Sequence, residues 1–353
     1  MPCISAISKT DLPDRIRQEN VKEYVRNFFQ QHFPQIDRML SVFSNAEIER
    51  RNFCEPLEYY GKHASFKERN DRYIIHALNY SAEAAENCIR QAEIKKEAIT
   101  DIIFISTTGL ATPSIDALII NKLRLNPHIR RTPVFGLGCA GGVAGLAKAA
   151  QAATADPNAV VLLVAVELCS LCFMQEDFSK SNFIASSLFS DGIAACIVKG
   201  DAHRRTDKTC IKFIDCYSRL YYDSTAVMGW EFLNTGFKVV FSPDIPAIIT
   251  EHIKGDISEF LGKHNLDLSD IKSFIFHPGG RKVIEAYTEA LSIDEKVLTN
   301  TKEVLRDYGN MSSATVLYVF EKFLREGFES GYGLAMALGP GFSSEMALFS
   351  MHK

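Results

Sequence analysis

Three short segments of the sequence carry side chains that could act together on a thioester. Cys139 lies in GLGCAGG, where an apolar segment passes through glycines into an alanine-rich one. His277 ends an apolar segment and precedes Pro-Gly-Gly, and Asn310 follows Gly309 just before a helical pattern. A cysteine with a separated histidine and asparagine is typical of enzymes that use a thiolate nucleophile.

The glycines around Cys139 predict a sharp strand-to-helix turn, which is the arrangement that exposes a nucleophile for attack. The positive end of the following helix would lower the pKa of the thiol. His277 could keep the thiolate ionised, and His277 and Asn310 could both donate hydrogen bonds to a thioester carbonyl. Such an oxyanion site would stabilise the enolate that malonyl-CoA leaves after it loses carbon dioxide.

Each of the three residues also has a purely structural interpretation, which the sequence leaves open. Cys139 could be a buried cysteine in a tight turn, His277 a packing histidine, and Asn310 a helix N-cap. The combination favours the chemical interpretation, because ligands of α/β sheets bind at the carboxyl ends of strands, where His277 is predicted to lie.

Alternating strands and helices are predicted around these residues in both halves of the chain, which indicates an α/β fold. Continuous apolar strands such as 160–166 indicate a sheet that is covered on both faces. The other predicted strands are 99–108, 133–137, 193–198, 271–276 and 334–338. The predicted helices are 21–33, 79–98, 143–153, 281–291 and 316–323.

The composition is that of an ordinary globular protein, with 46% hydrophobic and 23% charged residues among 353. A net charge of -4 and a pI of about 6.2 argue against nucleic acid or an anionic membrane as partners. We expect a cytoplasmic protein with no membrane span, because no apolar signal region opens the sequence and the apolar windows are short. The nine cysteines contain one CxxC pair, Cys169 and Cys172, but no second pair, which favours reduced thiols and no metal site.

Four motifs resemble the type III polyketide synthases, the chalcone synthase family. They are YGNMSSATVL at 308–317, FHPGG around His277, SLFSDGIAA around Phe189 and LGPGF at 338–342. The resemblance implies a thiolase-like, duplicated αβαβα layered fold assembled as a homodimer. It also implies an N-terminal half at 1–205, a C-terminal half at 206–353, and no cofactor beyond the acyl-CoA and malonyl-CoA substrates.

The resemblance assigns roles to four residues. Cys139 would take the starter acyl group from acyl-CoA. His277 and Asn310 would promote decarboxylation of malonyl-CoA and hold the enolate, which then attacks the Cys139 thioester. Phe189 would stand as a gatekeeper where the CoA tunnel meets the cavity.

Departures from the plant members of the family suggest a different starter. Val239 stands where the plant enzymes have a second gatekeeper phenylalanine, and Trp230 where the chalcone-forming enzymes have glycine. Cys169 and Cys172 replace cavity threonines, and GCAGG is one residue shorter than its plant counterpart. Trp230 should close the pocket for an aromatic starter, and Cys172 should open a narrow tunnel for an alkyl chain. This combination resembles bacterial members that make alkylpyrones or alkylresorcinols, although compensating size changes in an unchanged cavity are the alternative.

The remaining assignments concern the cavity wall, the partner subunit and CoA. Thr107, Thr108 and Ser312 would line the cavity of their own chain, and Thr112 would reach the partner's cavity. Basic side chains that could bind CoA, with simple solvation as the alternative, are Arg50, Arg51 and Lys282.

Three other functions remain possible from the sequence. An initiating ketoacyl synthase of fatty-acid type shares Cys, His and Asn, but its histidine motif usually continues with Gln-Ala-Asn. A thioester hydrolase would use Cys139 without needing the paired His277 and Asn310. A catalytically inactive acyl-binding scaffold would not need an intact triad.

Overall fold

The computed structural model describes residues 1–33, 35–203 and 211–352. The strands are β1 Cys3–Lys9, β2 Asp14–Arg17, β3 Arg50–Phe53, β4 Asp101–Ile105, β5 Arg130–Val134, β6 Val160–Leu168, β7 Asp191–Lys199, β8 Ile211–Leu220, β9 Met228–Leu233, β10 Gly236–Phe241, β11 Ile271–Phe276, β12 Gly331–Gly339 and β13 Ser343–Met351. The helices are α1 Gln18–Phe29, α2 Ile36–Met39, α3 Ser41–Asn45, α4 Leu57–Tyr60, α5 Phe66–Gln91, α6 Ile115–Leu123, α7 Gly141–Ala155, α8 Lys180–Leu188, α9 Ile245–Gly262, α10 Arg281–Leu291, α11 Thr299–Tyr308 and α12 Thr315–Glu326.

Nine of the strands form one continuous sheet in the order β11-β12-β13-β8-β1-β7-β6-β4-β5. Strands β4, β5 and β6 run parallel, as do β11 and β12, and the other neighbours are antiparallel. A short pairing of β1 with β8 joins the two halves of the sheet. Two ribbons, β2–β3 and β9–β10, lie outside this sheet.

Three hydrophobic cores lie between the layers of the molecule. The central core packs α7 and α12 between the two halves of the sheet, which explains why α7 is buried along most of its length. The second core packs α5 against the outer face of the first half, and the third packs α9 and α10 against the second half. Helix, sheet, helix, sheet and helix therefore follow one another, and the predicted thiolase-like layered fold is confirmed.

The predicted elements of the second half match the structure most closely. Strand β11 and helix α10 have the predicted bounds at both ends. The helix predicted at 79–98 is wrong at both ends, because α5 begins at Phe66 and stops at Gln91. Its true start carries a capping box, in which Ser65 Oγ accepts from the Glu68 N–H and the Glu68 carboxylate accepts from the Ser65 N–H.

The division of the chain at residues 205 and 206 falls outside the described residues and stays a prediction. Cys3 is disulfide-bonded, so the prediction of reduced thiols is wrong for that residue. Seven other cysteines, among them Cys139, are free thiols. Within the described ranges, no helix is both long and apolar enough to cross a membrane.

Candidate active site

Cys139 lies in a tight turn between the sheet and helix α7. The chain leaves β5, adopts a φ of 47° at Gly138 and enters a short 3-10 turn that contains Cys139. A Cβ atom at Gly138 would lie 2.6 Å from Pro340 Cδ, so both the backbone angle and the close approach require glycine. The predicted strand-to-helix turn at the cysteine is therefore present, although β5 ends at Val134 rather than at residue 137.

Asn310 lies in an extended segment between α11 and the short turn before α12. Its side-chain amide donates to Gly279 O at 3.0 Å, and its Oδ1 accepts from Ser312 N–H at 2.8 Å. Its backbone pairs with the segment after α8, donating to Leu188 O and accepting from the Ser190 N–H. Asn310 is therefore fixed on both sides and does not serve as the N-cap of α12, a position that Ala314 occupies.

His277 lies at the carboxyl end of β11 and is held by its main chain. Its backbone N–H donates to Met336 O at 2.8 Å. The imidazole is buried, and among the described residues neither of its ring nitrogens has a hydrogen-bond partner. Burial lowers the pKa of His277 to about 3, which keeps the ring neutral.

The three segments converge through Asn310. The Cys139 thiol lies within hydrogen-bonding reach of the Ser312 and Asn310 side chains. The Asn310 amide in turn bonds to Gly279, two residues after His277. The fold thus gathers a thiol, a carboxamide and an unpaired imidazole from elements that are far apart in the chain.

The expected low pKa of the cysteine is wrong. Burial raises the pKa of Cys139 to about 12, and the nearby Glu167 carboxyl acts in the same direction. Hydrogen bonds from Ser312 and Asn310 oppose this increase without overcoming it. Removal of the thiol from water outweighs the favourable position ahead of α7, so the resting cysteine is a neutral thiol.

Glu167 is a buried carboxyl behind Cys139 that the sequence reasoning missed. It accepts hydrogen bonds from the Thr107 N–H at 3.1 Å, the Thr108 hydroxyl at 2.9 Å and the Ser313 hydroxyl. Burial raises the pKa of Glu167 to about 7. An acidic residue near the end of the apolar strand β6 was the available signal, because a charge in a buried strand needs a special reason.

A cavity of about 40 Å³ opens beside Cys139. Predicted site residues make up much of its wall, namely Thr107, Cys139, Cys169, Phe189, Trp230, Val239 and Ser312. Phe241 also lines it and packs edge-on against Phe189, with ring centroids 6.5 Å apart. The aromatic partner of Phe189 is thus Phe241, two residues beyond Val239 on β10, which the sequence reasoning did not identify.

A second, largely apolar cavity of about 70 Å³ lies next to the first. The two share four wall residues, Cys169, Phe189, Trp230 and Val239. The second cavity, which we call the acyl compartment, extends past Cys172 to helices α1 and α8. Apolar residues of α1 that line it are Val21, Val25 and Phe28.

The β9–β10 ribbon, which we call the hairpin, forms one wall of both cavities. Trp230 and Val239 are paired across it, and Trp230 Nε1 donates to Thr107 O at 2.9 Å. At its turn, Thr235 O accepts a hydrogen bond from Arg69, which also donates to Phe173 O at 2.8 Å. These side-chain bonds to backbone carbonyls tie the hairpin to the rest of the chain.

Several predicted site residues lie elsewhere. The Thr108 hydroxyl donates a hydrogen bond to Glu167 and accepts one from the Leu168 N–H. Thr108 lines a small cavity beside Cys172 and not the cavity at Cys139. Thr112 is exposed in the loop before α6. Arg50 is exposed on β3 and Lys282 is exposed in the first turn of α10.

Arg51 does not fit its predicted place among surface CoA contacts. Its side chain is 1% exposed and lines the acyl compartment. Alternation along β3 explains the difference, because neighbouring side chains of a strand point to opposite faces and only Arg50 reaches solvent.

Family models of the chalcone and stilbene synthases match the chain in two parts. The model of the N-terminal domain covers residues 6–202, and that of the C-terminal domain covers residues 217–351. The chain therefore belongs to the chalcone and stilbene synthase family and is a type III polyketide synthase.

Individual relatives agree with this assignment. A Bacillus subtilis (strain 168) protein named "Putative chalcone synthase" is 46% identical, with 98% of this chain and 97% of that protein covered. A 1,3,6,8-tetrahydroxynaphthalene synthase of Streptomyces peucetius is 33% identical, with 98% and 92% covered. The crystal structure of the Streptomyces coelicolor 1,3,6,8-tetrahydroxynaphthalene synthase superposes with a TM-score of 0.94 at 29% identity, covering 99% of both chains.

The family defines the general reaction. Its enzymes are acyltransferases that condense malonyl-CoA units and use CoA thioesters without a further cofactor. The predicted enzyme class is confirmed.

Proposed function

We propose that this polyketide synthase loads a medium- or long-chain fatty acyl group onto Cys139 and extends it with malonyl-CoA to alkylpyrones or alkylresorcinols. One observation carries the proposal: an apolar compartment adjoins the Cys139 cavity and shares with it the wall formed by Cys169, Phe189, Trp230 and Val239. An alkyl chain attached to Cys139 would lie there with its apolar surface removed from water.

Loading begins at Cys139. Its sulfur attacks the acyl-CoA carbonyl, the neutral His277 imidazole accepts the thiol proton, and CoA leaves with that proton. Burial disfavours separate charges on Cys139 and His277. Transfer of the proton from the thiol to the imidazole therefore depends on a bound thioester, whose developing oxyanion is stabilised by hydrogen bonds.

Extension uses the same residues on malonyl-CoA. The N–H of the neutral His277 imidazole and the carboxamide of Asn310 would donate to the thioester oxygen as carbon dioxide leaves and the electron pair of the broken C–C bond forms the enolate. The enolate carbon attacks the Cys139 thioester and expels the thiolate, which leaves a β-ketoacyl-CoA. The released thiolate then attacks that product to begin another cycle.

The shape of the wall supports a linear starter. Trp230 is held in place through its bond to Thr107 O and lines both cavities. Cys169 and Cys172 are small side chains in the wall of the acyl compartment. A bulky wall beside Cys139 and small residues beyond it favour an extended chain over a broad aromatic ring.

We also propose that the enzyme is a cytoplasmic homodimer. Strand β5 is an edge of the large sheet, and Leu110 and Phe135 near it are 42% and 45% exposed. Edge strands with exposed apolar neighbours are suited to pairing with another chain. Thr112 lies in the loop beside this edge and would reach the partner's cavity, whereas Lys282 and Arg50 remain candidates for contacts with CoA phosphates.

The deciding experiment is mass spectrometry of products from the purified enzyme, labelled malonyl-CoA and a starter series. The series runs from acetyl-CoA to stearoyl-CoA and includes coumaroyl-CoA, and a Cys139→Ala variant serves as the blank. Pyrones or resorcinols from the long acyl starters would support the proposal. Efficient turnover of only short or aromatic starters would contradict the acyl compartment while leaving the family assignment intact.

A second assay separates condensation from hydrolysis. Free CoA is measured from acyl-CoA in the absence of malonyl-CoA. Continuous CoA release would indicate a thioester hydrolase, whereas a single stoichiometric burst is expected if the acyl group waits on Cys139.

A further inference from the structure

Arg51 places a cation inside the largely apolar wall of the acyl compartment. Its Nη1 donates to Phe189 O at 2.8 Å, and its guanidinium lies over the Phe53 ring at 5.3 Å. Among the described residues, its Nε and Nη2 have no hydrogen-bond partner. Burial lowers the pKa of Arg51 to about 9, and the Asp191 carboxylate opposes this decrease, so the group is charged at neutral pH.

Other polar side chains of this wall are engaged within the protein. Tyr60 bonds to Ser170, and Ser170 also donates to Asp191. The amide of Asn182 donates to Met174 O and to Asp177 O. Among these described side chains, the donors without a partner are Nε and Nη2 of Arg51.

The position of Arg51 is fixed from both sides. A Cβ atom at Gly309 would lie 2.9 Å from Arg51 Cγ, and glycine there has a φ of 74°. Phe189, whose carbonyl Arg51 binds, lines both the Cys139 cavity and the acyl compartment. Arg51 thus lies in the acyl compartment next to the wall that the two cavities share, where the oxygen-bearing part of a chain would lie while its alkyl tail extends further.

We propose that Arg51 is an oxygen-binding position for the acyl chain, donating from Nε and Nη2 to a keto, enolate or carboxylate oxygen. A buried guanidinium with unused donors loses favourable hydrogen bonds that such an oxygen would restore. The inference rests on the proposed use of this compartment for the acyl chain. Two sources could supply the oxygen: keto groups created by extension, or a carboxylate carried by the starter.

Wild-type enzyme tests the proposal through binding of inert pantetheine analogues. Three analogues share one chain length: one carries a ketone at the β position, one has methylene there, and one ends in a carboxylate. Calorimetry should show binding of the ketone or the carboxylate at least about 10-fold tighter than the methylene compound, since bonds to charged donors contribute this much. A preference for the ketone identifies extension as the source, a preference for the carboxylate identifies the starter, and equal affinities for all three would overturn the proposal.

Variants locate the effect. Arg51→Met should remove the discrimination between analogues, and Arg51→Lys should restore part of it. The matched control is Arg72→Met, because Arg72 lies on α5 at the surface and pairs with Glu55. Loss of discrimination in the control as well, or its retention in Arg51→Met, would contradict the assignment.

Failure of the starter proposal can be recognised separately. Intact-mass measurement shows whether decanoyl-CoA acylates Cys139 in the wild-type enzyme. If it does not, the fatty acyl starter is wrong, whereas the analogue comparison still decides the role of Arg51 with a short butyl chain.

Discussion

The turn at Cys139 and the hairpin at Trp230 form parts of the same cavity wall but are built differently. The turn lies between the central sheet and α7, and Gly138 leaves no room for a side chain against Pro340. The hairpin is a separate ribbon whose outer residues are exposed, with Phe232 at 58%. The comparison teaches that the proposed reacting groups are fixed by the packed frame, by which we mean the central sheet and the helices packed on it. The shape of the proposed substrate space depends instead on a wall that is held by few hydrogen bonds.

The largest effect should come from Cys139→Ala, a change within the frame. Loss of the proposed nucleophile should reduce polyketide formation by about 10⁴-fold or more, because the acyl chain would no longer be held on the Cys139 sulfur. Product formation and intact-mass detection of the acyl-enzyme measure this. Cys216→Ser, at a half-buried thiol outside the cavity walls, should leave both unchanged, and comparable loss in that control would contradict the interpretation.

Asn310→Ala should follow with a loss of about 10²- to 10³-fold in decarboxylation, the usual cost of removing one oxyanion donor. Release of labelled carbon dioxide from malonyl-CoA without any starter measures this step directly. Asn234→Ala, at the exposed turn of the hairpin, is the control. Decarboxylation at the wild-type rate in Asn310→Ala would remove this residue from the chemistry.

Changing a residue of the cavity wall should alter which starters the enzyme accepts without abolishing the reaction. Cys172→Phe should reduce kcat/KM for long-chain starters by about 10- to 100-fold, as expected for overfilling a packed space, with acetyl-CoA little affected. Cys172→Ala leaves the passage open and should retain long-chain activity. Unchanged use of stearoyl-CoA by Cys172→Phe would show that the chain takes another path.

The smallest effects on turnover come from changes in pH that act on stability, where two buried groups of the frame act in opposite directions. The pKa of His277 is lowered from 6.5 to about 3, so its contribution to stability is present above 6.5 and is lost as the pH falls. The pKa of Glu167 is raised from 4.5 to about 7, so its contribution is present below 4.5 and is lost as the pH rises.

Urea unfolding across pH 4 to 8 checks both signs. His277→Gln should reduce the pH dependence of the free energy of unfolding on the acid side, and Glu167→Gln should reduce it near neutral pH. Each change in slope is up to about 1.4 kcal/mol per pH unit. His63→Gln, at an exposed ion pair with Glu176, should change neither. A parallel shift of the entire profile in the first two variants would indicate packing rather than titration.

The frame was largely predictable because local chemistry and topology agree there. The apolar strand β11, the glycines after His277 and the periodic pattern of α10 fix their bounds without knowledge of the rest of the fold. The turn at Cys139 was equally predictable from the sequence, because a tight turn explains why so many glycines surround one side chain.

The packing of the cavity wall and the orientation of its charged side chains could not be predicted from the sequence, because both depend on tertiary contacts. Nothing local shows that Phe241 would pack on Phe189, or that Arg51 would face inward while Arg50 faces solvent. The direction of the Cys139 pKa was also hidden, because burial is a property of the assembled cavity, whereas the position near a helix start can be read from sequence.

Phe189 is attached to the frame in a way that bears on the opening between the two cavities. The backbone on either side of it bonds to that of Asn310, through Leu188 O and the Ser190 N–H, and Arg51 holds its carbonyl. The ring can therefore move only by side-chain rotation, which leaves these backbone hydrogen bonds in place, and its edge-on contact with Phe241 must give way for it to turn. Rotation of this ring would thus change the opening between the two cavities while the amide of Asn310 keeps its hydrogen bond to Gly279 O.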